Sequence, residues 1–205
     1  MFEDSALQQA KRDLRAALLA QRQALSPARR QALDRQLCAR VLGFFSERPG
    51  ELISAFWPFR GEPDLRPALS ALHGSGRRVY LPVLVDQGMG FRRWTPDGAM
   101  SPNRYGIPEP VDGEACEPLA LDWVLTPLVG FSATGIRLGM GGGFYDRTFA
   151  ERTRAQGDRP TPVLVGTGYG FQEVDSLPAQ HWDVPLDAVI TDRGIHRFHD
   201  IESQG

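Results

Sequence analysis

The stretch LDWVLTPLVGFSATGIRLGMGGGFYDRTF, residues 121–149, decides the fold that this sequence predicts. It begins with an apolar run typical of a buried strand (121–131) and continues into GMGGG (139–143), a loop with four glycines among five residues. It then enters a helical pattern, predicted over residues 145–157. Alternation of apolar strands with helices is typical of α/β sheets. The stretch therefore predicts an α/β fold with a glycine-rich loop between a strand and a helix.

The segments on either side of this stretch repeat the alternation of strand and helix. Turn and apolar patterns predict strands over 51–59, 77–84, 91–94 and 161–168, a helix over 65–76, and two short strands within 186–198. Such an alternation is typical of a largely parallel sheet. We therefore expect a single α/β domain over residues 1–205. Its mostly parallel, open sheet is expected to be flanked by helices in a Rossmann-like three-layer arrangement, with an irregular C-terminal edge.

Residues 101–118 (SPNRYGIPEPVDGEACEP) lack the pattern of a helix or a strand. Loops of this length in compact domains are usually functional or disordered. The tyrosine and the prolines in this segment favour an ordered loop.

Two amphipathic helices are predicted before the first strand. Ser5 with Gln8 fits a capping box, and Ser26-Pro27 fits a second helix start. Apolar residues recur at helical spacing along both helices: Leu7, Leu14, Leu18 and Leu25 on the first, and Leu33, Leu37, Val41 and Phe45 on the second. On the first helix, Lys11 projects only about 40° from Leu7, and Arg15 lies one turn further along. Two cations therefore flank the face that the helix is expected to bury.

Composition excludes several classes of protein. A net charge of −2 and a pI near 6.1 give no overall basic field, which disfavours nucleic acid as the main partner. No apolar run approaches the roughly 20 residues of a membrane span, and the first residues do not resemble a signal peptide. Cys38 and Cys116 lie far apart without a C-x-x-C pattern, so incidental thiols are expected. We expect a cytoplasmic monomer with no nucleic-acid and no membrane partner.

The loop of residues 139–143 has the properties of a phosphate-binding cradle. Glycine reaches positive φ freely and lets an anion touch backbone N–H groups, and the following helix N-terminus adds partial positive charge. Arg137 is suited to binding phosphate oxygens, and Asp146 to holding a metal ion beside them. The loop is not a dinucleotide fingerprint, which needs glycine in place of Phe144, nor a Walker A loop. The pattern predicts a nucleotide phosphate, and a tight turn with nothing bound is the alternative.

The segment RLGMGGGFYDR (137–147) resembles the signature of the 5-formyltetrahydrofolate cyclo-ligase family, also called methenyltetrahydrofolate synthetases. Further matches follow in the same order over nearly the whole chain: Lys11 and Arg15 as a leading Lys-x-x-x-Arg, FWPFRGEPDL (56–65), RYGIPEP (104–110), DWVLTPLVGF (122–131) and LPAQHWDVPLDAVIT (177–191). Two positions depart from the family pattern: Phe144 stands where tyrosine is frequent, and Asp192 stands where relatives usually carry glutamate or a neighbouring acid.

The resemblance implies a ligase that uses ATP and Mg²⁺ to convert 5-formyltetrahydrofolate into 5,10-methenyltetrahydrofolate, ADP and phosphate. It implies phosphorylation of the formyl oxygen followed by attack of N10. The implied catalytic residues are Lys11, Arg15 and Arg137. The implied ATP site consists of Lys11, Arg15, Arg137, Leu138, Gly139, Met140, Gly141, Gly142, Gly143, Phe144 and Tyr145. The implied folate site consists of Trp57, Phe59, Glu62, Tyr105 and Tyr145, and the implied magnesium ligands are Asp146 and Asp192.

Two other functions share the same sequence features. One is a cyclo-ligase-like paralogue that uses ATP on a different small molecule, and the other is a non-catalytic ligand- or RNA-binding module. Glu62 and RYGIPEP favour a folate substrate, and the presence of Lys11, Arg137 and Asp146 favours an enzyme. Without the resemblance, Lys11 and Arg15 would be interpreted as a solvated helix face, Trp57 and Phe59 as core residues, and Glu62 as a surface acid.

Overall fold

The structure of the protein is a computed structural model that describes residues 2–85, 88–152, 161–198 and 201. Four helices lie in this part of the chain: α1 (Phe2–Gln23), α2 (Pro27–Ser46), α3 (Arg66–Gly74) and α4 (Phe144–Thr148). The strands are β1 (Leu52–Ser54), β2 (Arg78–Val85), β3 (Gly88–Arg93), β4 (Met100–Pro102), β5 (Pro108–Pro110), β6 (Ala115–Cys116), β7 (Trp123–Pro127), β8 (Gly130–Ser132), β9 (Arg137–Leu138), β10 (Val163–Thr167), β11 (Glu173–Val174), β12 (Ala188–Ile190) and β13 (Ile195–Arg197). None of the helices in these ranges has the length and apolar character that crossing a membrane requires.

Eight strands form the main sheet, in the order β13-β12-β10-β7-β1-β2-β3-β6. The strands from β2 through β1, β7 and β10 to β12 are all parallel to their neighbours. The edges are antiparallel, with β3 and β6 on one side and β13 on the other. The structure therefore confirms the predicted α/β class, the mostly parallel open sheet and its irregular C-terminal edge.

The main sheet is buried on both faces. In β7, Leu125 belongs to the apolar core beneath α2 and α3, and Val124 belongs to the core on the opposite face, which includes Phe149. All positions from Trp123 to Thr126 are buried, as expected for a parallel strand covered on both sides. The predicted three-layer architecture is confirmed.

A smaller sheet, β11-β8-β9, lies beyond the carboxyl end of β7 and packs against α1. The approach is close: a Cβ atom added at Gly130 would lie 2.7 Å from Cδ1 of Leu18. Glycine at this position lets the leucine reach the apolar cluster formed with Val129, Leu138 and Leu177. The contact places α1 along the carboxyl edge of the main sheet.

The two N-terminal helices are confirmed, although the first begins elsewhere. The side chain of Ser26 accepts a hydrogen bond from the amide of Arg29 and caps α2, as the sequence predicts. The start of α1 at the Ser5 capping box is wrong, because the helix begins at Phe2 and Ser5 lies within it.

The prediction of one strand over residues 121–131 is also wrong. The chain leaves the main sheet after Pro127 and enters the smaller sheet at Gly130. Between these strands, the side chain of Gln172 donates to the carbonyls of Leu128 (3.1 Å) and Val129 (2.8 Å). These carbonyls bind side chains rather than a neighbouring strand, since the carbonyl of Leu128 also accepts a hydrogen bond from Arg22.

Residues 101–118, which the sequence predicts to be an ordered loop, contain short strands that the sequence pattern did not reveal. Pro102 pairs with Pro108 in the β4-β5 hairpin, and proline is tolerated there because the hairpin is an edge. The helix predicted over 145–157 is observed only as far as Thr148, and residues 153–157 lie outside the described part of the chain.

A buried ion pair joins the segment after α4 to the strands beside it. The side chains of Arg152 and Asp187 are only 2% and 4% exposed. Arg152 also donates to the carbonyl of Pro162 at 2.6 Å, and Asp187 accepts a hydrogen bond from the amide of Leu164 at 2.7 Å. The pair therefore holds β10 and the start of β12 together from one face.

We expect Arg152→Ala to lower the free energy of unfolding by about 3–5 kcal/mol, because it leaves a buried carboxylate without its cation. Urea unfolding followed by circular dichroism measures the change. The control is Arg66→Ala, which removes an exposed pair with Asp64 and should change stability by at most about 1 kcal/mol. Equal losses in the two variants would contradict the prediction.

Candidate active site at the reversal of strand order

The order of the parallel strands reverses between β1 and β7. Along the chain, β2 adds on one side of β1, whereas β7, β10 and β12 add on the other. Open α/β sheets bind ligands in the crevice outside the carboxyl ends of the strands at such a point. The segment with Glu62 follows β1, and the glycine-rich loop follows β7 through β8 and β9. Both predicted ligand-binding segments therefore extend from the edge where the crevice lies.

The glycine-rich loop has a backbone that favours glycine at two positions. Gly141 has φ of 96°, and Gly143 precedes α4 in the left-handed conformation with φ of 62°. Gly141 and Gly142 are exposed, and Met140 between Gly139 and Gly141 is 40% exposed. The loop therefore presents accessible backbone at the start of α4.

Helix α1 brings two predicted cations to this region. Nε of Arg15 donates to the carbonyl of Gly139 at 2.7 Å, and burial lowers the pKa of this guanidinium from its ordinary value. Nζ of Lys11 lies 3.4 Å from Oδ2 of Asp183, and the two side chains are only 12% and 16% exposed. The interpretation of Lys11 and Arg15 as an ordinary solvated helix face is wrong, because both side chains bind residues outside the helix.

Arg137, the third predicted cation, binds the chain segment that contains Asp183. Its guanidinium donates to the carbonyl of Val184 at 2.7 Å and to Oδ1 of Asp146 at 2.6 Å, and its side chain is only 5% exposed. The amide of Val184 donates to the same oxygen of Asp146 at 3.1 Å. Because Asp183 binds Lys11 and Val184 binds Arg137, adjacent residues connect two predicted phosphate-binding cations.

Glu62 occupies a tight turn after β1. The amide of Glu62 donates to the carbonyl of Phe59, and the amide of Phe59 donates to Oε2 of Glu62, both at 3.0 Å. Burial raises the pKa of Glu62 to about 7, although the positive charge of Arg22 and the hydrogen bond from Phe59 oppose the shift. Burial and the nearby charge of Glu62 raise the pKa of Tyr145 above its ordinary value. Glu62 and Tyr145 therefore interact, although they come from opposite sides of the crevice.

The predicted aromatic residues do not all lie together. The Tyr105 side chain is 52% exposed, and its ring lies 6.3 Å from that of Phe144 in an edge-on arrangement, so the β4-β5 hairpin reaches the start of α4 beside the glycine-rich loop. Phe59 lies beneath the guanidinium of Arg60. Trp57 is partly buried and packs against Trp94 and the core beneath α2 and α3, and among the described residues no aromatic ring pair joins it to Tyr105 or Tyr145.

The two predicted magnesium ligands lie in different surroundings. Asp146 is paired with Arg137, as described above. Asp192 accepts a hydrogen bond from the amide of Gly170 at 2.6 Å, and its carbonyl accepts one from Arg40 at 3.1 Å. Over the residues that the structure describes, no three His, Cys, Asp or Glu side chains form a group arranged to hold a metal ion. A shared magnesium site of Asp146 and Asp192 stays a prediction.

Three residues that bind the site residues were not predicted from the sequence: Arg22, Asp183 and Val184. Arg22 lies four residues after Leu18, so helical spacing alone places it on the buried face of α1. This spacing could have indicated Arg22, but a charged residue is not counted in the apolar stripe of a helix. Asp183 and Val184 lie within the LPAQHWDVPLDAVIT match, and nothing in the sequence indicates that their side chain and backbone meet Lys11 and Arg137.

The fold and the crevice first define a class: an α/β protein with cations gathered beside a glycine-rich loop at the reversal of strand order. The model of the 5-formyltetrahydrofolate cyclo-ligase family matches residues 7–192. The chain is 39% identical over 175 residues to the 5-formyltetrahydrofolate cyclo-ligase of Escherichia coli K12, covering 83% of this chain and 93% of that protein. Its identity to the Haemophilus influenzae enzyme of the same name is 35% over 167 residues, covering 79% and 87%.

Solved structures point to the same family as these relatives. The 5,10-methenyltetrahydrofolate synthetase of Aquifex aeolicus superposes with a TM-score of 0.80 at 28% identity, covering 95% of this chain and 96% of that one. The synthetase of Mycoplasma pneumoniae superposes with a TM-score of 0.71, also at 28% identity, covering 89% and 98%. The chain belongs to the 5-formyltetrahydrofolate cyclo-ligase family and is an enzyme of the ligase class.

The raised pKa of Glu62 makes a stability prediction that needs no ligand. Because the folded state holds the proton more tightly than the unfolded chain, wild-type stability falls as pH rises through the interval between the unfolded pKa and about 7. We expect Glu62→Gln to gain on the order of 1–3 kcal/mol relative to wild type between about pH 5 and about pH 8. Urea unfolding across this range measures it.

The control for this variant is Glu51→Gln, which changes a carboxylate whose side chain is 74% exposed. A pH-independent difference between Glu62→Gln and wild type would show that Glu62 titrates in the fold as it does in the unfolded chain.

Proposed function

We propose that the protein catalyses the ATP-dependent closure of 5-formyltetrahydrofolate to 5,10-methenyltetrahydrofolate, releasing ADP and phosphate. The observation that carries the proposal is the convergence of Lys11, Arg15 and Arg137. Asp183, the carbonyl of Gly139 and Val184 hold these cations around the glycine-rich loop. Such an arrangement suits a reaction that needs little beyond positioning and neutralisation of a moving phosphoryl group.

The glycine-rich loop fits a triphosphate. A Cβ atom added at Gly139 would meet nothing within 4 Å, so the space in front of this backbone is open. The nearby Arg15 is held by a carbonyl rather than a carboxylate, which leaves its charge free to attract an anion. We therefore assign the phosphates to residues 137–145, with Lys11, Arg15 and Arg137 as their cations.

The site is also compatible with Mg²⁺ delivered by the nucleotide. Magnesium sites of this kind use one or two carboxylates, several waters and substrate phosphates rather than a cage of protein ligands. Asp146, beside Arg137, would hold the ion, and Asp192 is the second proposed ligand. The ion would neutralise charge on the phosphates during transfer.

The folate is assigned to the other side of the crevice. Glu62 would accept hydrogen bonds from the polar edge of the pterin, and its pKa near 7 makes the extent of ionisation dependent on the ligand. Phe59, Tyr105 and Tyr145 offer ring surfaces beside it, and Trp57 supports the loop from the core. This arrangement would leave the formyl group between the pterin side and the phosphate side.

The proposed chemistry has two steps. The formyl oxygen first attacks the γ-phosphorus of ATP, the bond to the β–γ bridging oxygen breaks, and ADP leaves. N10 then attacks the activated formyl carbon, the carbon–oxygen bond breaks, and phosphate departs as N10 loses its proton. Arg15 and Arg137 would stabilise the charge that develops on the transferred group.

A cytoplasmic monomer without a nucleic-acid partner remains our prediction for the protein in the cell.

The direct test incubates the purified protein with 5-formyltetrahydrofolate and MgATP. It follows the absorbance of the methenyl product and the release of phosphate in parallel. We expect equimolar formation of both, dependent on both substrates. Hydrolysis of ATP without methenyl product would indicate a paralogue with another substrate, and binding of either ligand without turnover would indicate a non-catalytic module.

Arg15 can be tested against a neighbour on the same helix. We expect Arg15→Met to lower kcat by about a hundredfold, because it removes a cation aimed at developing phosphoryl charge. The control is Arg12→Met, since Arg12 is exposed and bonds to Gln9 away from the loop. Indistinguishable kcat values for the two variants would show that Arg15 is not a catalytic residue.

Two glycines separate the effect of a blocked cradle from that of backbone strain. Gly139→Ala adds a methyl group to open space without positive φ, so we expect an unchanged Tm and a KM for ATP raised about tenfold. Gly141 has φ of 96°, so Gly141→Ala should in addition lower stability by about 1–2 kcal/mol. A normal KM for ATP in both variants would favour a tight turn with nothing bound.

A further inference from the structure

Arg22 is a fully buried cation that the proposed chemistry does not use. It lies on α1 with none of its surface exposed. Nη2 donates to the carbonyl of Arg60 at 3.0 Å, and Nη1 to the carbonyl of Leu128 at 3.3 Å. Within the described part of the chain, Nε has no hydrogen-bond partner. Burial of a guanidinium is unfavourable unless its contacts compensate, so the position calls for an explanation beyond packing.

The carbonyl of Arg60 belongs to a turn that is difficult to form. Arg60 has φ of 47° and is the one non-glycine residue with positive φ among the residues that the structure describes. The following Gly61 has φ of 78°. A side chain with a Cβ atom is strained in this region, and such a conformation persists only where surrounding contacts hold it.

Two arginines supply those contacts, the buried Arg22 and the half-buried Arg30. Arg22 binds the carbonyl of Arg60, and Nη1 of Arg30, on α2, binds the carbonyl of Gly61 at 2.9 Å. Nη2 of Arg30 also donates to the backbone carbonyl of Arg22 at 2.9 Å, which joins the two helices at this point. Consecutive carbonyls of the strained turn are therefore each held by a guanidinium.

The turn ends at Glu62, and the same cation influences that carboxylate. The charged and titratable groups that act on Glu62 are Arg22 from α1 and Tyr145 from α4, while Arg30 from α2 holds the adjacent carbonyl. The other partner of Arg22, the carbonyl of Leu128, follows the end of β7. Arg22 thus connects the chain segments that leave β1 and β7, on the two sides of the crevice.

We propose that Arg22 is a positioning residue that holds the 59–62 turn in its left-handed conformation and so directs the Glu62 carboxylate into the crevice. The proposal rests on the proposed function only in assigning the folate to Glu62. Arg22 itself touches neither substrate, because it is fully buried beneath the turn.

The first experiment measures the Kd of 5-formyltetrahydrofolate and of MgATP separately by titration calorimetry with the full chain. We expect Arg22→Met to weaken folate binding by at least about tenfold while leaving the Kd of MgATP within about twofold of wild type. Arg77→Met is the matched control. Arg77 also binds backbone carbonyls, those of Gly50, Phe45 and Arg48, but at the opposite end of the strands. Equal changes in both Kd values, or the same pattern in the control, would overturn the proposal.

The second experiment is a rescue. Arg60→Gly removes the Cβ atom that makes positive φ unfavourable, so the turn no longer needs the same support. We expect the double variant Arg22→Met with Arg60→Gly to regain most of the folate affinity lost in Arg22→Met alone. A double variant that binds folate no better than Arg22→Met would overturn the proposal.

The pH dependence of folate binding separates charge from geometry. Because the charge of Arg22 opposes the rise in the pKa of Glu62, we expect its removal in Arg22→Met to raise that pKa further and to move the acid limb of folate binding to higher pH. Arg22→Lys keeps the charge but cannot hold two carbonyls as a guanidinium does. It should weaken binding with the acid limb near its wild-type position. An unmoved acid limb in Arg22→Met would contradict the electrostatic influence of Arg22 on Glu62.

A measurement without ligand distinguishes failure of this proposal from failure of the proposed function. The amides of Phe59 and Glu62 are bonded within the turn, so their hydrogen exchange reports its integrity. We expect exchange at these amides to accelerate at least about tenfold in Arg22→Met and to stay near wild type in Arg77→Met. Unchanged exchange would overturn the role of Arg22, whatever the protein binds. Accelerated exchange in Arg22→Met, together with no folate binding by the wild-type protein, would overturn the proposed function alone.

Discussion

The reversal of strand order between β1 and β7 is the constraint on which the site depends. At such a point open α/β sheets have a crevice outside the carboxyl ends of the strands, and here those strands are β1 and β7. Helix α1 lies along this edge, with Leu18 packed against Gly130. Because the helix is fixed there, residues at helical spacing along one face reach the loops from both strands: Lys11, Arg15 and Arg22.

The way these cations are held decides what the crevice can attract. Arg15 and Arg22 bind backbone carbonyls, which orient a guanidinium without neutralising its charge. Lys11 and Arg137 instead pair with carboxylates, those of Asp183 and Asp146. The site therefore contains two more cations than paired acids in this group. The nearby carboxylate is Glu62, and the charge of Arg22 opposes the rise in its pKa that burial causes. A positive crevice beside open glycine backbone suits the phosphates of a nucleotide.

Much of the architecture could be predicted because strand and helix patterns are local. The helix start at Ser26, the strands that became β2 and β10, and the glycine-rich loop before α4 were all visible in the sequence. The missed features depend on distant partners. The end of β7 depends on the amide side chain of Gln172, and the β4-β5 hairpin pairs proline with proline, which no single-strand pattern reveals.

The sequence by itself determined the α/β class, the family and the list of residues suited to phosphate, because these follow from residue type and spacing along the chain. Only the tertiary structure decided how the residues are grouped. Lys11 meets Asp183, Arg137 meets Asp146, and Glu62 interacts with Arg22 and Tyr145, although each partner lies far away in sequence or on another element. The physical reason is that burial and electrostatic coupling depend on distance in space, which is set by how α1 and the loops pack on the sheet.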